Sequence, residues 1–350
     1  MKKIIELEAL RGAALYVFFH HTLFSFGILE KNSLLGKMFS FGQEAVMVFF
    51  LLSGYVIAMS VSKRHYTFRE YFKHRFFRIY PIIVVAWVVS FFGLFLSDKS
   101  IHVAVKDIFF NTLMLQDVSA LKPGVFTNPL FGNTPLWSLS YEWWFYMLFF
   151  LHFFLYKKYF NERLALFNIT ALLISLTAQL TYSYAYNEVS LIAMYYYVWF
   201  SGAMVFLLLN NNTLNKRYIF MLIASYFVLL VNYFFFFINF ATAGKIGVHP
   251  LLEFRHYAVS ILGLLFGLFF YKYLHKFFVK NYLYSKLVQL LASIAPISFG
   301  IYVLHYPIKN YFMQYTEFNA FLLLGSTLAL SVLISYFAEI KIYGYIRKKI

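Results

Sequence analysis

The side chains in this sequence that can do acid–base or anion chemistry stand inside or beside long apolar runs. Histidines occupy positions 20, 21 and 305, a carboxylate sits at Glu142, and arginines stand at 11, 75 and 78. A neutral imidazole accepts a hydroxyl proton near neutral pH, which makes His21 a candidate general base and His305 a candidate assistant. Arg75 and Arg78 are three residues apart, so a helix puts both on one face. Two guanidiniums there suit the phosphates of a nucleotide-like donor, which arginine grips with paired hydrogen bonds. Glu142 falls among Trp137, Trp143 and Trp144. An interfacial aromatic belt accounts for the tryptophans but not for the acid.

Each candidate has a plainer reading. The segment 62–78 carries six Lys and Arg residues, which is what a cytoplasmic loop requires by topology alone. His305 stands two residues before Pro307 and could satisfy the carbonyl that a helical proline frees. Ser53 and Gly54 read as close-packing residues rather than as chemistry. His249, Glu253, Arg255 and His256 line an entrance or anchor an interface. Depth favours function for Glu142, whereas both readings of the arginines and of His305 stay open on the residues alone. Ionisable groups inside a membrane are costly and face a bundle interior or a wet cavity.

The elements that must position these groups follow from hydropathy. The chain has 350 residues, of which 62% are hydrophobic and only 13% charged. Apolar runs of about 20 residues recur, each long enough to cross roughly 30 Å of hydrocarbon. They predict an all-α polytopic membrane protein, a single domain over 1–350, with about ten spans at 10–30, 42–61, 79–97, 134–156, 165–185, 189–209, 217–238, 251–271, 290–313 and 318–340. The 103–116 portion is too short and too charged to span, and fits an amphipathic helix lying in the interface. With both termini on the cytoplasmic side, 22 of the 30 Lys and Arg residues lie inside. The net charge of +16 is thus a topological signal rather than a nucleic-acid footprint. No cleavage site follows the first apolar run, so that run is kept as the first span. Cysteine is absent, which excludes a thiolate nucleophile and Cys-ligated metal; no metal is implied. The segment AGKIG lacks the spacing of a phosphate-binding loop.

Five segments, in order, carry a resemblance. They are LEALRG followed by a histidine, VFFLLSGYVI, FKHRFFRIYP, PLWSLSYEWWFY and ISFGIYVLHYPI. Together they resemble the acyltransferase 3 family of bacterial inner-membrane acyltransferases; between about 160 and 285 only hydropathy matches. The resemblance implies transfer of an acyl group, acetyl by default, from cytoplasmic acetyl-CoA to a hydroxyl of a cell-envelope glycan or lipid-linked sugar. It implies that Arg11 and His21 are the family's paired Arg and His, and that Arg75 and Arg78 bind the donor. It makes Glu142 and His305 the acidic residue and second histidine of its motifs; a mechanism built on these residues has Glu142 orient His21 or the acceptor. One residue fewer than usual separates Arg11 from His21, which rotates the pair by about 100° on an ideal helix. Either a non-helical lead-in absorbs that change or His20 is the counterpart. A glycan transporter or flippase of similar topology is the rival reading.

Overall fold

The computed structural model describes residues 5–13, 15–64, 66–160, 162–237, 247–315 and 317–348. Part of AGKIG lies outside them. The described residues form helices and connecting turns with no strand. Eight helical segments are long and apolar enough to cross a membrane: Leu34–Lys63, Phe68–Phe95, Leu164–Tyr184, Glu188–Asn210, Lys216–Phe237, Leu251–Phe269, Tyr282–Phe312 and Ala320–Arg347. The protein is therefore an all-α polytopic membrane protein.

Two of the ten expected spans fall outside those eight for identifiable reasons. The first divides into α1 (Ile5–Gly12) and α2 (Leu15–Ser25). Between them the Tyr16 N–H bonds the Ala13 carbonyl at 2.9 Å, an i to i−3 bond that tightens the turn. Arg11 and His21 thus lie on separate helices, and the 100° register argument does not apply across the break. The fourth expected span, Trp137–Lys158, has the length at 22 residues. It carries Glu142, His152 and many Tyr and Trp residues among its apolar ones, which lowers its hydropathy.

The 79–97 span begins eleven residues earlier than expected, at Phe68. Thr67 caps this helix: its hydroxyl accepts from Glu70 N at 3.3 Å, while Glu70 accepts from Thr67 N at 2.9 Å. Such a cap contributes about 1 kcal/mol and explains why the arginine segment is helix, not loop. Arg75 and Arg78 therefore share one helix, one turn apart.

The core is built around Glu188–Asn210, whose most apolar window is 94% buried. It crosses Gly42–Lys63 at close range because two glycines face backbone there. A Cβ on Gly54 would collide with the Trp199 carbonyl, and one on Gly202 with that of Leu51. Gly54 is the close-packing residue its sequence context suggests.

The stretch expected to be an interfacial helix at 103–116 is helical over Val105–Thr112, with Val105, Ile108 and Phe109 exposed. Asp107 accepts a 2.7 Å bond from the Thr127 hydroxyl. That bond, with the Ala104 N–H and nearby Lys106, holds its carboxyl below the usual range. The following irregular chain is not peripheral. Lys122 and Asp117, 3% and 1% exposed, pair at 2.8 Å, and the Tyr141 hydroxyl donates to Asp117 at 2.6 Å. Neither reading of the 249–256 cluster describes the interior contacts seen. Glu253 and His256 are buried, His256 bonds Tyr195 at 2.7 Å, and Arg255 pairs with Glu44. These residues tie Leu251–Phe269 to the two helices beside it.

Candidate active site

Two cavities enter the bundle beside the residues singled out by sequence. The first, of about 240 Å³, is lined by Arg11, Arg75, Arg78, Ser53, Glu142 and Tyr146 among others. Its three arginines are not equivalent. Arg11 pairs with Glu8 at 3.1 Å within its own helix. Arg78 pairs at 2.9 Å with Glu339, a buried carboxylate that also accepts from the Gly300 N–H at 2.7 Å. Arg75 has no ion pair among the described residues. One of its terminal nitrogens donates to Ser60 at 3.3 Å, its Nε has no partner, and its guanidinium lies 5.2 Å and 5.6 Å from the Tyr71 and Tyr146 ring centres. A buried donor without a partner is an incomplete site, and Arg75 is the one of these three arginines with no carboxylate partner among the described residues.

Glu142 sits at the same cavity, on Trp137–Lys158. It accepts from Ser53 at 2.7 Å and from the Tyr146 hydroxyl one turn away. Ser53 also accepts from the Trp199 indole at 3.1 Å. Ser53 thus belongs to the polar cluster, against its reading as a packing residue. Among the described residues Glu142 has no hydrogen bond to either histidine.

The second cavity, of about 410 Å³, is lined by His20, His21, Phe24, Ser25, Lys31, Ser40, Thr134, Tyr306 and Lys309. His21 Nδ1 lies 2.8 Å from His305 Nε2, with the rings stacked at 5.1 Å. His305 is fully buried on Ser298–Phe312. On that helix Tyr302 lines the first cavity and Tyr306 the second, which puts His305 in the partition between them. His20 turns elsewhere, its Nδ1 bonding the Phe39 carbonyl at 2.5 Å. His21, not His20, is therefore the histidine that meets His305.

The proline reading of His305 meets a specific answer. Pro307 frees the carbonyl four residues earlier, at Val303, and Asn133 Nδ2 donates to it at 2.9 Å. His305 is left to bond the Ile301 carbonyl through Nδ1 at 3.0 Å. A carbonyl only accepts, so that Nδ1 carries the proton. In the neutral ring Nε2 is then bare and accepts from His21 Nδ1–H. The same logic leaves His21 Nε2 unprotonated. An imidazole whose far nitrogen is bare, held by an orienting partner, is arranged to take a proton from a hydroxyl.

The structure thus gathers the sequence candidates into two groups, Arg11, Arg75, Arg78 and Glu142 at one cavity and His21 with His305 at the edge of the other. It adds Ser53, which sequence reasoning read as a packing residue, and Glu339 and Lys309, which it passed over. For Glu339 and Lys309 the signal was present, since each is an ionisable residue within a predicted span.

A family model described as an acyltransferase domain matches residues 4–339. Over 164 residues the chain is 31% identical to acyltransferase MdmB of Streptomyces mycarofaciens, a segment covering 45% of this chain and 41% of that protein. The chain spans about two fifths of the length of that relative. No solved structure matches it. Matched by the family model over nearly its whole length, this chain belongs to the acyltransferase 3 family.

Proposed function

We propose that this protein moves a short acyl group, acetyl by default, from acyl-CoA to a sugar hydroxyl of a cell-surface or exported glycan. The observation that carries the reading is the His21–His305 pair at the partition between an arginine-lined cavity and a second one. In this reading the thioester enters at the first cavity, its phosphates on Arg75, with Arg11 and Arg78, each paired with a glutamate, beside it. The acceptor enters the second cavity. His21 Nε2 takes the hydroxyl proton as the oxygen attacks the thioester carbonyl carbon. The carbon–sulfur bond breaks, and the thiolate leaves as coenzyme A thiol on receiving that proton from His21. His305 positions His21. Glu142, held by Ser53 and Tyr146, orients the donor end of the path rather than the histidine.

The distribution of basic residues supports an inner-membrane protein with both termini cytoplasmic, so the arginines meet cytoplasmic donor and the second cavity opens outward. Purified protein in proteoliposomes, given labelled acetyl-CoA and extracted envelope glycan, should release thiol and form ester mole for mole. Movement of glycan across the bilayer with no thioester consumed would instead identify a transporter.

A further inference from the structure

Two contacts, one helical turn apart, tie Leu15–Ser25 to Ser298–Phe312. The inner one is the His21–His305 bond. The outer one runs from Lys309 Nζ to Ser25 Oγ at 3.1 Å. Each outer residue stands four beyond its histidine, so the backbone positions of the outer contact lie roughly 6 Å further along at 1.5 Å rise per residue. Lys309 is 5% exposed, and its Nζ sits 4.2 Å from the Tyr306 ring centre. Among the described residues it forms no ion pair. An ammonium has three N–H donors, and the serine oxygen takes one. A buried cation without a counter-charge is unfavourable and invites one. Lys31 lines the same cavity, and among the described residues no Asp or Glu does. The ring of Tyr306 lies between the two functions, edge-on to His21 at 5.3 Å and beneath Lys309.

We propose that the acceptor carries an acidic group, a carboxylate or a phosphate, which Lys309 binds one turn beyond the hydroxyl that is acylated. The separation is about the width of one sugar ring, so the acidic group belongs to the acylated sugar or to its neighbour. Lys309 is then the residue that sets preference for anionic over neutral acceptors, with Tyr306 offering a face to the ring between them. This rests on the reading of the second cavity as the acceptor's.

The test is equilibrium binding to the full chain in nanodiscs, which needs neither donor nor turnover. The probes are methyl glucuronoside, glucose 1-phosphate and neutral methyl glucoside. Wild type should bind at least one charged probe about tenfold or more tightly than the neutral one, the expected scale for a charge-assisted contact. The tighter charged probe tells carboxylate from phosphate. Lys309→Arg should keep the preference, and Lys309→Met should erase it, with Lys309→Gln as the substitute should the Met variant not fold. Equal binding of charged and neutral probes, no binding of either charged probe, or a preference surviving without the lysine would overturn the inference. Acyl transfer is measured on the same nanodiscs. A protein that prefers the anion but transfers nothing keeps this inference and loses the transferase reading, while transfer without preference does the reverse.

Discussion

His21→Ala is expected to slow acyl transfer by roughly 10²–10⁴-fold, the usual contribution of a positioned general base, with donor binding unchanged. The expectation follows from the proton chain. The Ile301 carbonyl fixes the proton on His305 Nδ1, His305 Nε2 accepts from His21 Nδ1, and His21 Nε2 remains bare. His305→Ala should lose most of the activity through misorientation of His21. His305→Gln should recover part of it, since an amide oxygen can accept the His21 Nδ1–H. That partial rescue separates positioning from mere support of the fold. His20 bonds the Phe39 carbonyl rather than His305, so His20→Ala should retain most activity. Single-turnover rates with labelled acetyl-CoA in liposomes read all four variants. Full activity in His21→Ala would remove it as the base.

The arginines should separate in kind as well as in size. Arg75→Ala should weaken acyl-CoA binding by roughly 1.5–3 kcal/mol, about 10–150-fold in Kd, with little change in thermal stability. Among the described residues Arg75 has no acid to abandon, and its buried Nε lacks a partner. Arg78→Ala should act first on stability. It strands the buried Glu339 carboxylate, a loss of about 3 kcal/mol at the lower end of the range for broken buried pairs, because Arg78 is itself partly exposed. Thermal unfolding in detergent, run beside donor binding, distinguishes the two. Equal losses of affinity with unchanged stability in both variants would show that the pair acts as one phosphate clamp.

How much of this was legible in the sequence depends on whether a signal was local. Hydropathy gave the class and most spans because a membrane helix satisfies its own backbone. It failed at the first span, where a turn at Ala13 ends the first helix with no change in apolar character. It also misplaced the start of the Phe68 helix, whose Thr67–Glu70 cap lies in a charged segment that reads as loop. The candidate residues stood out one by one as ionisable groups at depth, but their partners are set by packing between distant helices. Nothing local pairs Arg78 with Glu339, 261 positions on, or His21 with His305. Ser53 was misread for the same reason: small residues at helix crossings are common, and only the approach of Glu142 and Trp199 gives its hydroxyl a polar role.

The central claim is that one histidine pair joins a donor cavity on one side of the bundle to an acceptor cavity on the other. It is tested most directly in sealed, oriented proteoliposomes with labelled acetyl-CoA on the arginine side only and acceptor glycan on the opposite side only. The expected result is labelled ester on the opposite-side glycan with wild type and none with His21→Ala, while Arg75-dependent donor binding persists in that variant. Ester formation only when donor and acceptor share one side, or undiminished transfer in His21→Ala, would contradict it.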